Sequence, residues 1–285
     1  MTSGLDNLST RQRDLLNQWL PQASVAKDHS WGLVETTVLE LAYAGSRFIV
    51  KAAGESDHHI AREIHAHLHW LDPWASRGRA PTLEHHDAEA KLLVTRYLSG
   101  DLVIGSQYVD DPSTYRQAGE LLALLHAQTT VTDNDYEAGE NRRSLAWLSG
   151  PHRIALDLVE RLRTEIASWP TPAVTLVPTH GDWQPRNWLV HDHVVSVIDF
   201  GRAAMRPAMT DFARLAAQDF CRNPALETAF LDGYGTDPRE ADARHRNGVR
   251  EAIATAAWAY RVADEVFEAQ GHRMISDALS TSCPD

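Results

Sequence analysis

The sequence predicts an α+β fold, with a small β-rich amino-terminal lobe and a larger, mainly helical one after it. Three observations predict it. Strand-like runs of apolar and β-branched residues crowd into the stretch before Ser99. Apolar residues at helical spacing dominate after Gly100. Strands come first and helices afterwards, which separates the pattern from a parallel sheet of alternating βαβ units. Ser99-Gly100-Asp101 is the strongest break and sets the expected lobes at residues 1–98 and 99–285.

The elements follow in order. Ser9-Thr10 can cap a short amphipathic helix that runs to Leu20 and stops at Pro21. Val34–Leu41 and Arg47–Lys51 read as strands joined near Ala44-Gly45-Ser46. Ile60, Ile64, Leu68 and Leu71 recur at helical spacing and predict a helix over 57–71, with Pro73 beyond its end. Pro81–Leu83 and Lys91–Leu98 read as two more strands, the second apolar enough to be central. Ala118, Leu121, Leu122 and Leu125 predict a packed helix over 115–128. The polar, acidic stretch 129–140 reads as a loop and 151–169 as a helix. Trp188–His191 and Val194–Asp199 flank Asp192-His193 as a short hairpin. Helices are then expected over 209–221, 225–234, 239–268 and 274–279.

Composition narrows the function. A chain of 285 residues with 43% hydrophobic content can bury a sizeable core. Its formal net charge of -12 disfavours nucleic acid as a partner and suits a cationic small molecule better. Cys221 and Cys283 are the only cysteines, too few for a disulfide framework, so the expected compartment is a reducing cytoplasm. No run approaches the ~20 apolar residues that span a bilayer, and no membrane partner is expected. The absence of GxxxxGK[ST] excludes a Walker-type nucleotide site, and the absence of GxSxG leaves a serine hydrolase unsupported. His65 and His69 share a helix face, but no HExxH surrounds them, so solvated histidines are the simpler reading than zinc.

The residues able to carry chemistry concentrate in one stretch. His180-Gly181-Asp182 is followed by Asn187, five positions after the Asp, and then by Asp199-Phe200-Gly201. Asp182 can accept a hydroxyl proton, while Asn187 and Asp199 offer the hard oxygens that Mg²⁺ prefers. Upstream, Lys51 sits at the end of the apolar run Phe48-Ile49-Val50-Lys51. Glu63, twelve residues on and inside the predicted helix, is its natural partner; Glu55 falls in the loop before it.

This spacing resembles the aminoglycoside phosphotransferase and choline kinase family, relatives of the protein kinases, from Lys51 to Asp211 in order. The resemblance implies a two-lobed protein-kinase-like fold, with residues 1–98 as the nucleotide-binding lobe and 99–285 as the catalytic and substrate-binding lobe. It implies ATP-dependent phosphorylation of a hydroxyl on a small molecule. Asp182 would act as base, Asn187 and Asp199 would hold Mg²⁺, and Lys51 with Glu63 would steady the α- and β-phosphates. Arg186 is placed either to approach the γ-phosphate or to pair with a carboxylate. His180 would brace the metal loop and Asp211 would anchor the catalytic loop. Thr95, Tyr97 and Leu98 occupy the hinge position, whose backbone would meet adenine. The phosphate-covering loop departs from the protein-kinase pattern: only Gly32 is present between Asp28 and Thr37, which leaves the backbone near Ser30 and Gly32 for that task.

The acceptor site of such proteins is built from the helical lobe, where Asp133, Asp135, Glu137, Glu140, Asp264, Glu265 and Glu268 fall. Asp264 and Glu268 are i, i+4 on one expected helix and so share a face. Carboxylates attract an ammonium-bearing acceptor, so an aminoglycoside or similar cationic antibiotic is the leading expectation, which would make the protein a resistance enzyme. Trp183, directly after the expected base, is a further candidate contact. Choline, sugars, homoserine, macrolides and cyclic peptide antibiotics stay open as acceptors. A kinase-fold nucleotide-binding regulator without transfer activity is the alternative of another class. Monomer and homodimer are both compatible with the sequence.

Overall fold

The first helix forms where a reciprocal cap can start it. Ser9 Oγ accepts from the Gln12 amide at 3.2 Å, and the Gln12 side chain accepts from Ser9 N–H at 2.9 Å, opening α1 (Thr10–Trp19). The computed structural model describes residues 4–30 and 36–280.

Strands β1 (Ser24–Asp28), β2 (Thr37–Tyr43) and β3 (Ser46–Ala52) lead to helices α2 (His59–His69) and α3 (Asp72–Ala75), then to β4 (Leu83–Asp87) and β5 (Leu92–Arg96). They form an antiparallel sheet in the order β1-β2-β3-β5-β4. Ala44 at φ 49° and Gly45 at φ 78° make the two-residue turn between β2 and β3, the geometry that matches strand twist. Alternation along β3 decides what faces what. Phe48, Val50 and Ala52 join Leu16, Leu20, Leu39 and Leu92 in one core. Lys51 points to the opposite face, where Ile60 and Ile64 of α2 pack with Leu93 of β5. Burying each such Leu or Ile contributes about 1.5–3 kcal/mol, so the sheet and α2 hold Lys51 on a firm base.

The chain continues through β6 (Asp101–Leu102) and α4 (Pro112–His126). Next come β7 (Val131–Asp133), α5 (Tyr136–Trp147), α6 (Leu156–Ser168) and β8 (Val174–Thr179). The hairpin β9 (Trp188–His191) and β10 (Val194–Val197) follows, with β6 on its outer edge. Last are α7 (Ala213–Leu215), which runs into a π-helical turn over Ala216–Phe220, then α8 (Pro224–Tyr234), α9 (Ala241–Arg261) and α10 (Glu265–Ser280).

Two compact units result. One comprises Met1–Thr129, Pro178–Met205 and Arg214–Thr236; the other comprises Thr130–Val177, Arg206–Ala213 and Asp237–Asp285. In the first, α4 and α8 touch through glycine: a Cβ on Gly119 would lie 2.1 Å from the Phe230 carbonyl oxygen, so any larger residue would push the helices apart. In the second, Leu162, Ile166, Val249, Ile253 and Ile275 form an apolar core between α6, α9 and α10. Beside it, buried Glu137 pairs with Arg250 at 2.7 Å and Arg246 at 3.2 Å.

Several expectations change. The stretch 129–140 is not one loop: β7 and the start of α5 occupy it, and Glu137 is held inside by the two arginines rather than by an apolar stripe. The helix expected over 239–268 is broken. Ala263 adopts φ 58°, and Asp264 starts a new helix by accepting from the Phe267 amide at 3.0 Å. Strand β1, mostly exposed, carries no alternation strong enough to be seen in the sequence.

Candidate active site

Two loops of the first unit carry the site. Gly181 takes φ 78°, which turns the chain sharply between His180 and Asp182. His180, fully buried, ties the loops together: its Nδ1 accepts from the Asp182 amide at 3.3 Å, and its Nε2 lies 3.1 Å from the Ile198 carbonyl oxygen. With Nδ1 accepting, Nε2 carries the proton and donates to Ile198. The short hairpin β9–β10 then fixes the distance from Asn187 to Asp199. Asp199 itself sits at φ 69°, a left-handed conformation uncommon for a residue with a Cβ.

The Asp182 carboxylate is 3% exposed and fully engaged. Oδ1 accepts from Gln184 Nε2 at 2.6 Å and lies 3.1 Å from Arg214 Nε. Oδ2 accepts from Arg186 Nη2 at 2.6 Å and from Asn187 Nδ2 at 3.1 Å. Burial alone would raise the Asp182 carboxyl, but the Arg186 hydrogen bond and the charges of Arg214, Arg186 and Arg202 outweigh it and hold it below the usual carboxylate range. Asn187 Nδ2 also donates to the Asp182 carbonyl oxygen at 2.8 Å, which fixes the amide so that its own oxygen is left for another partner.

Lys51 makes the second cluster. Its Nζ lies 2.8 Å from Glu63 Oε1 and 2.9 Å from Asp199 Oδ1, across 148 positions of sequence. Burial alone would lower the Lys51 ammonium's pKa; the charges of Asp199 and Glu63 outweigh it and hold Lys51 above the usual lysine range. Lys51 in turn holds Asp199 below the usual carboxylate range, against the effect of burial. Burial pushes Glu63 upward, partly offset by Lys51. Lys51, Glu63 and Asp199 are thus brought together, and so are Asp182, Arg186 and Asn187.

Other expected residues stand differently. Thr95 is buried in β5, and the Tyr97 amide donates to the Arg47 carbonyl oxygen at 3.0 Å, with the Arg47 guanidinium 3.7 Å above the Tyr97 ring. That N–H is already engaged and is not open to adenine in this arrangement. The Ser30 amide donates to Asp28 Oδ1 at 2.8 Å and its hydroxyl accepts from the Val38 amide at 3.0 Å, so the Ser30 amide is not free to cover phosphate. Gly32 lies outside the described residues. Trp183 is 1% exposed and packed against Trp74, Trp188 and His180, so its ring belongs to the core and offers no surface to an acceptor. Asp264 and Glu268 do not form the expected acidic face. Asp264 caps α10, and buried Glu268 lies 3.4 Å from Arg153. Asp211 is buried in the short helix Ala208–Phe212. Sequence reasoning missed Arg214 and Gln184. Gln184 lies within the motif itself, whereas Arg214 carries no local signal and reaches Asp182 only through folding.

A wide, open cavity of about 1300 Å³ lies apart from these residues, in the second unit beside Glu165, Trp169 and His245. The convergent charges on Asp182 and Asp199 mark the site better than cavity size does.

Residues 29–244 match the family model described as the phosphotransferase enzyme family. The chain belongs to this family. It is a small-molecule kinase with the α+β, protein-kinase-like fold. Solved structures of similar fold include the choline kinase LicA from Streptococcus pneumoniae, at 15% identity and a TM-score of 0.68, covering 96% of this chain and 100% of that one. A thermostable mutant of aminoglycoside phosphotransferase APH(4)-Ia, in ternary complex with ADP and hygromycin B, matches at 11% identity and a TM-score of 0.68, covering 97% and 100%. The macrolide 2'-phosphotransferase MphH from Brachybacterium faecium matches at 17% identity and a TM-score of 0.59, covering 98% and 99%. No curated protein matches the chain. Among the described residues, no helix is long and apolar enough to cross a membrane.

Proposed function

We propose that this kinase transfers the γ-phosphoryl group of Mg-ATP to a hydroxyl of a small polar molecule in the cytoplasm. The observation that carries the reading is the bridge from Lys51 to both Glu63 and Asp199, in the same unit as a buried Asp182 hydrogen-bonded to Asn187. Residues 1–98 serve as the nucleotide-binding lobe and 99–285 as the catalytic and substrate-binding lobe. Lys51, oriented by Glu63, binds the α- and β-phosphates. Asp182 orients the acceptor hydroxyl and takes its proton, and Arg186 leaves Asp182 to meet the γ-phosphate.

The donor set fits Mg²⁺. The Asn187 amide oxygen and the second Asp199 carboxylate oxygen are hard donors with no hydrogen bond from the described residues, and Mg²⁺ takes one or two such ligands plus phosphate and water. When bound, the ion would neutralise phosphate oxygens. With Asp199 engaged by the ion, the Lys51 ammonium would be freer to meet phosphate.

Four of the seven acids that favoured a cationic antibiotic are engaged elsewhere: Glu137 with Arg246 and Arg250, Glu140 with Arg143, Glu268 with Arg153, and Asp264 as a helix cap. A resistance role against aminoglycosides therefore rests mainly on the overall negative charge and on the fold neighbours. The test is Mg-ATP turnover with pooled hydroxyl-bearing small molecules, read by product mass. Nucleotide binding with no transfer to any acceptor would favour the regulator over the kinase.

A further inference from the structure

We propose that the acceptor of this kinase carries an anionic group, carboxylate or phosphate, close to the hydroxyl that is phosphorylated, and that Arg214 binds it. The inference rests on the phosphotransfer reading and names the substrate class for the same site.

The argument is one of charge and access. Three side-chain donors and the Arg214 guanidinium already crowd the two Asp182 oxygens, so a substrate hydroxyl gains room at the carboxylate when one of these groups leaves. Gln184 and Asn187 are 7% and 5% exposed, and Asn187 is fixed by its second bond to the Asp182 carbonyl oxygen. Arg186 and Arg214 are the members with room to move, at 42% and 35% side-chain exposure. Among the described residues, neither guanidinium has a second carboxylate within ion-pair distance. Two cations thus share one anion.

When an arginine swings off Asp182 it needs a new counter-charge. The γ-phosphate provides one for Arg186, which follows Asp182 on the same loop. Arg214 comes from a separate segment, at the other oxygen of the carboxylate, and nothing in the nucleotide is required to meet it. An oxyanion on the acceptor meets that need: it draws Arg214 away from Oδ1 and brings the hydroxyl into the place vacated. The planar guanidinium fork suits carboxylate and phosphate alike. A cationic acceptor would add a further positive charge to the arginines already acting on this one carboxylate, where partly buried charges repel strongly.

The experiment uses the full-length protein with Mg-ATP and size-matched acceptors in four groups: hydroxycarboxylates, sugar phosphates, amino alcohols with aminoglycosides, and neutral polyols. Product mass is measured alongside Mg-ATP binding. Transfer confined to the hydroxycarboxylates or to the sugar phosphates is the expected result, and the productive group identifies the oxyanion. Transfer only to cationic or neutral acceptors overturns the proposal, as does an inactive panel with intact Mg-ATP binding. Loss of Mg-ATP binding instead removes the phosphotransfer reading itself. With the productive acceptor, Arg214→Gln should raise the acceptor KM about tenfold to a hundredfold, the scale of a charged hydrogen bond, while the ATP KM stays in place. Arg214→Lys should recover part of that loss. A rise in the ATP KM without a rise in the acceptor KM would show that Arg214 serves the nucleotide, and would sink the assignment.

Discussion

Two clusters in this protein set two arginines around one carboxylate, and they differ in exposure. In the second unit, Glu137 holds Arg246 and Arg250, with Asn141 accepting from Arg250 at 2.5 Å; these three charged side chains are 6%, 10% and 9% exposed. In the first unit, Asp182 is as deeply buried, but Arg186 and Arg214 are 42% and 35% exposed. The Arg250 guanidinium also lies 5.3 Å over the Trp169 ring, which closes it in further. The comparison teaches that stoichiometry does not decide the role of an ion cluster. A guanidinium enclosed on all sides has no alternative to its partner, and breaking the pair strands a buried charge. A guanidinium with one face in water can rehydrate when it leaves, so its departure strands no buried cation, provided another group meets the carboxylate it quits. The first arrangement is scaffold and the second can open.

The largest effect should fall on the enclosed cluster. Glu137→Gln leaves two buried guanidiniums without a counter-charge and should lower unfolding free energy by about 3–5 kcal/mol, measured by denaturant titration. A loss below about 1 kcal/mol would break the contrast between the clusters. Next comes Asp182→Asn, which should reduce turnover by at least ~10²-fold, the scale of a lost positioned base, with Mg-ATP binding nearly intact by calorimetry. Full activity in that variant would remove the role given to Asp182. Asp199→Ala should weaken Mg-ATP binding by about tenfold or more, because it removes both a hard ligand and the partner of Lys51. Unchanged affinity would count against a metal-binding role.

The pH profile gives a smaller and more diagnostic effect. Asp182 is held below its ordinary value of 3.8, so its carboxylate is present throughout the neutral range and is lost only as pH falls through the depressed value. Activity should therefore show no acid limb from this group between pH 7 and about 5, where an ordinary Asp is still ionised. Arg186→Gln removes the leading cause of the depression and should move the acid limb upward. A limb that stays in place would uncouple Arg186 from Asp182. At the bottom of the scale, Arg116→Ala removes an exposed pair with Glu120 on α4 and should change stability by less than about 0.5 kcal/mol.

Much of the catalytic geometry was legible because it is local. The spacing from Asp182 to Asn187 is set by one short turn, and the step to Asp199 by one hairpin, so residue order alone brings these groups near each other. Lys51 and Glu63 are a strand end and the following helix, a short connection with few alternatives. Failures came where a distant partner overrode a local pattern. The Asp264 and Glu268 face vanished because Ala263 turned left-handed and Asp264 became a cap. Trp183 looked like a substrate contact by adjacency to Asp182, yet alternation of direction along the loop sends it into the aromatic core with Trp74.

The sequence alone determined the α+β class and placed a carboxylate and an amide five positions apart, since those features depend on hydrophobic periodicity and short-range spacing, and the family resemblance these residues carry implied a kinase. Only the tertiary structure decided which charges are exposed and which are enclosed. Exposure is a property of everything packed around a side chain, and no window of sequence contains it. That is why Arg214, thirty-two positions beyond Asp182, entered the site only once the chain had folded.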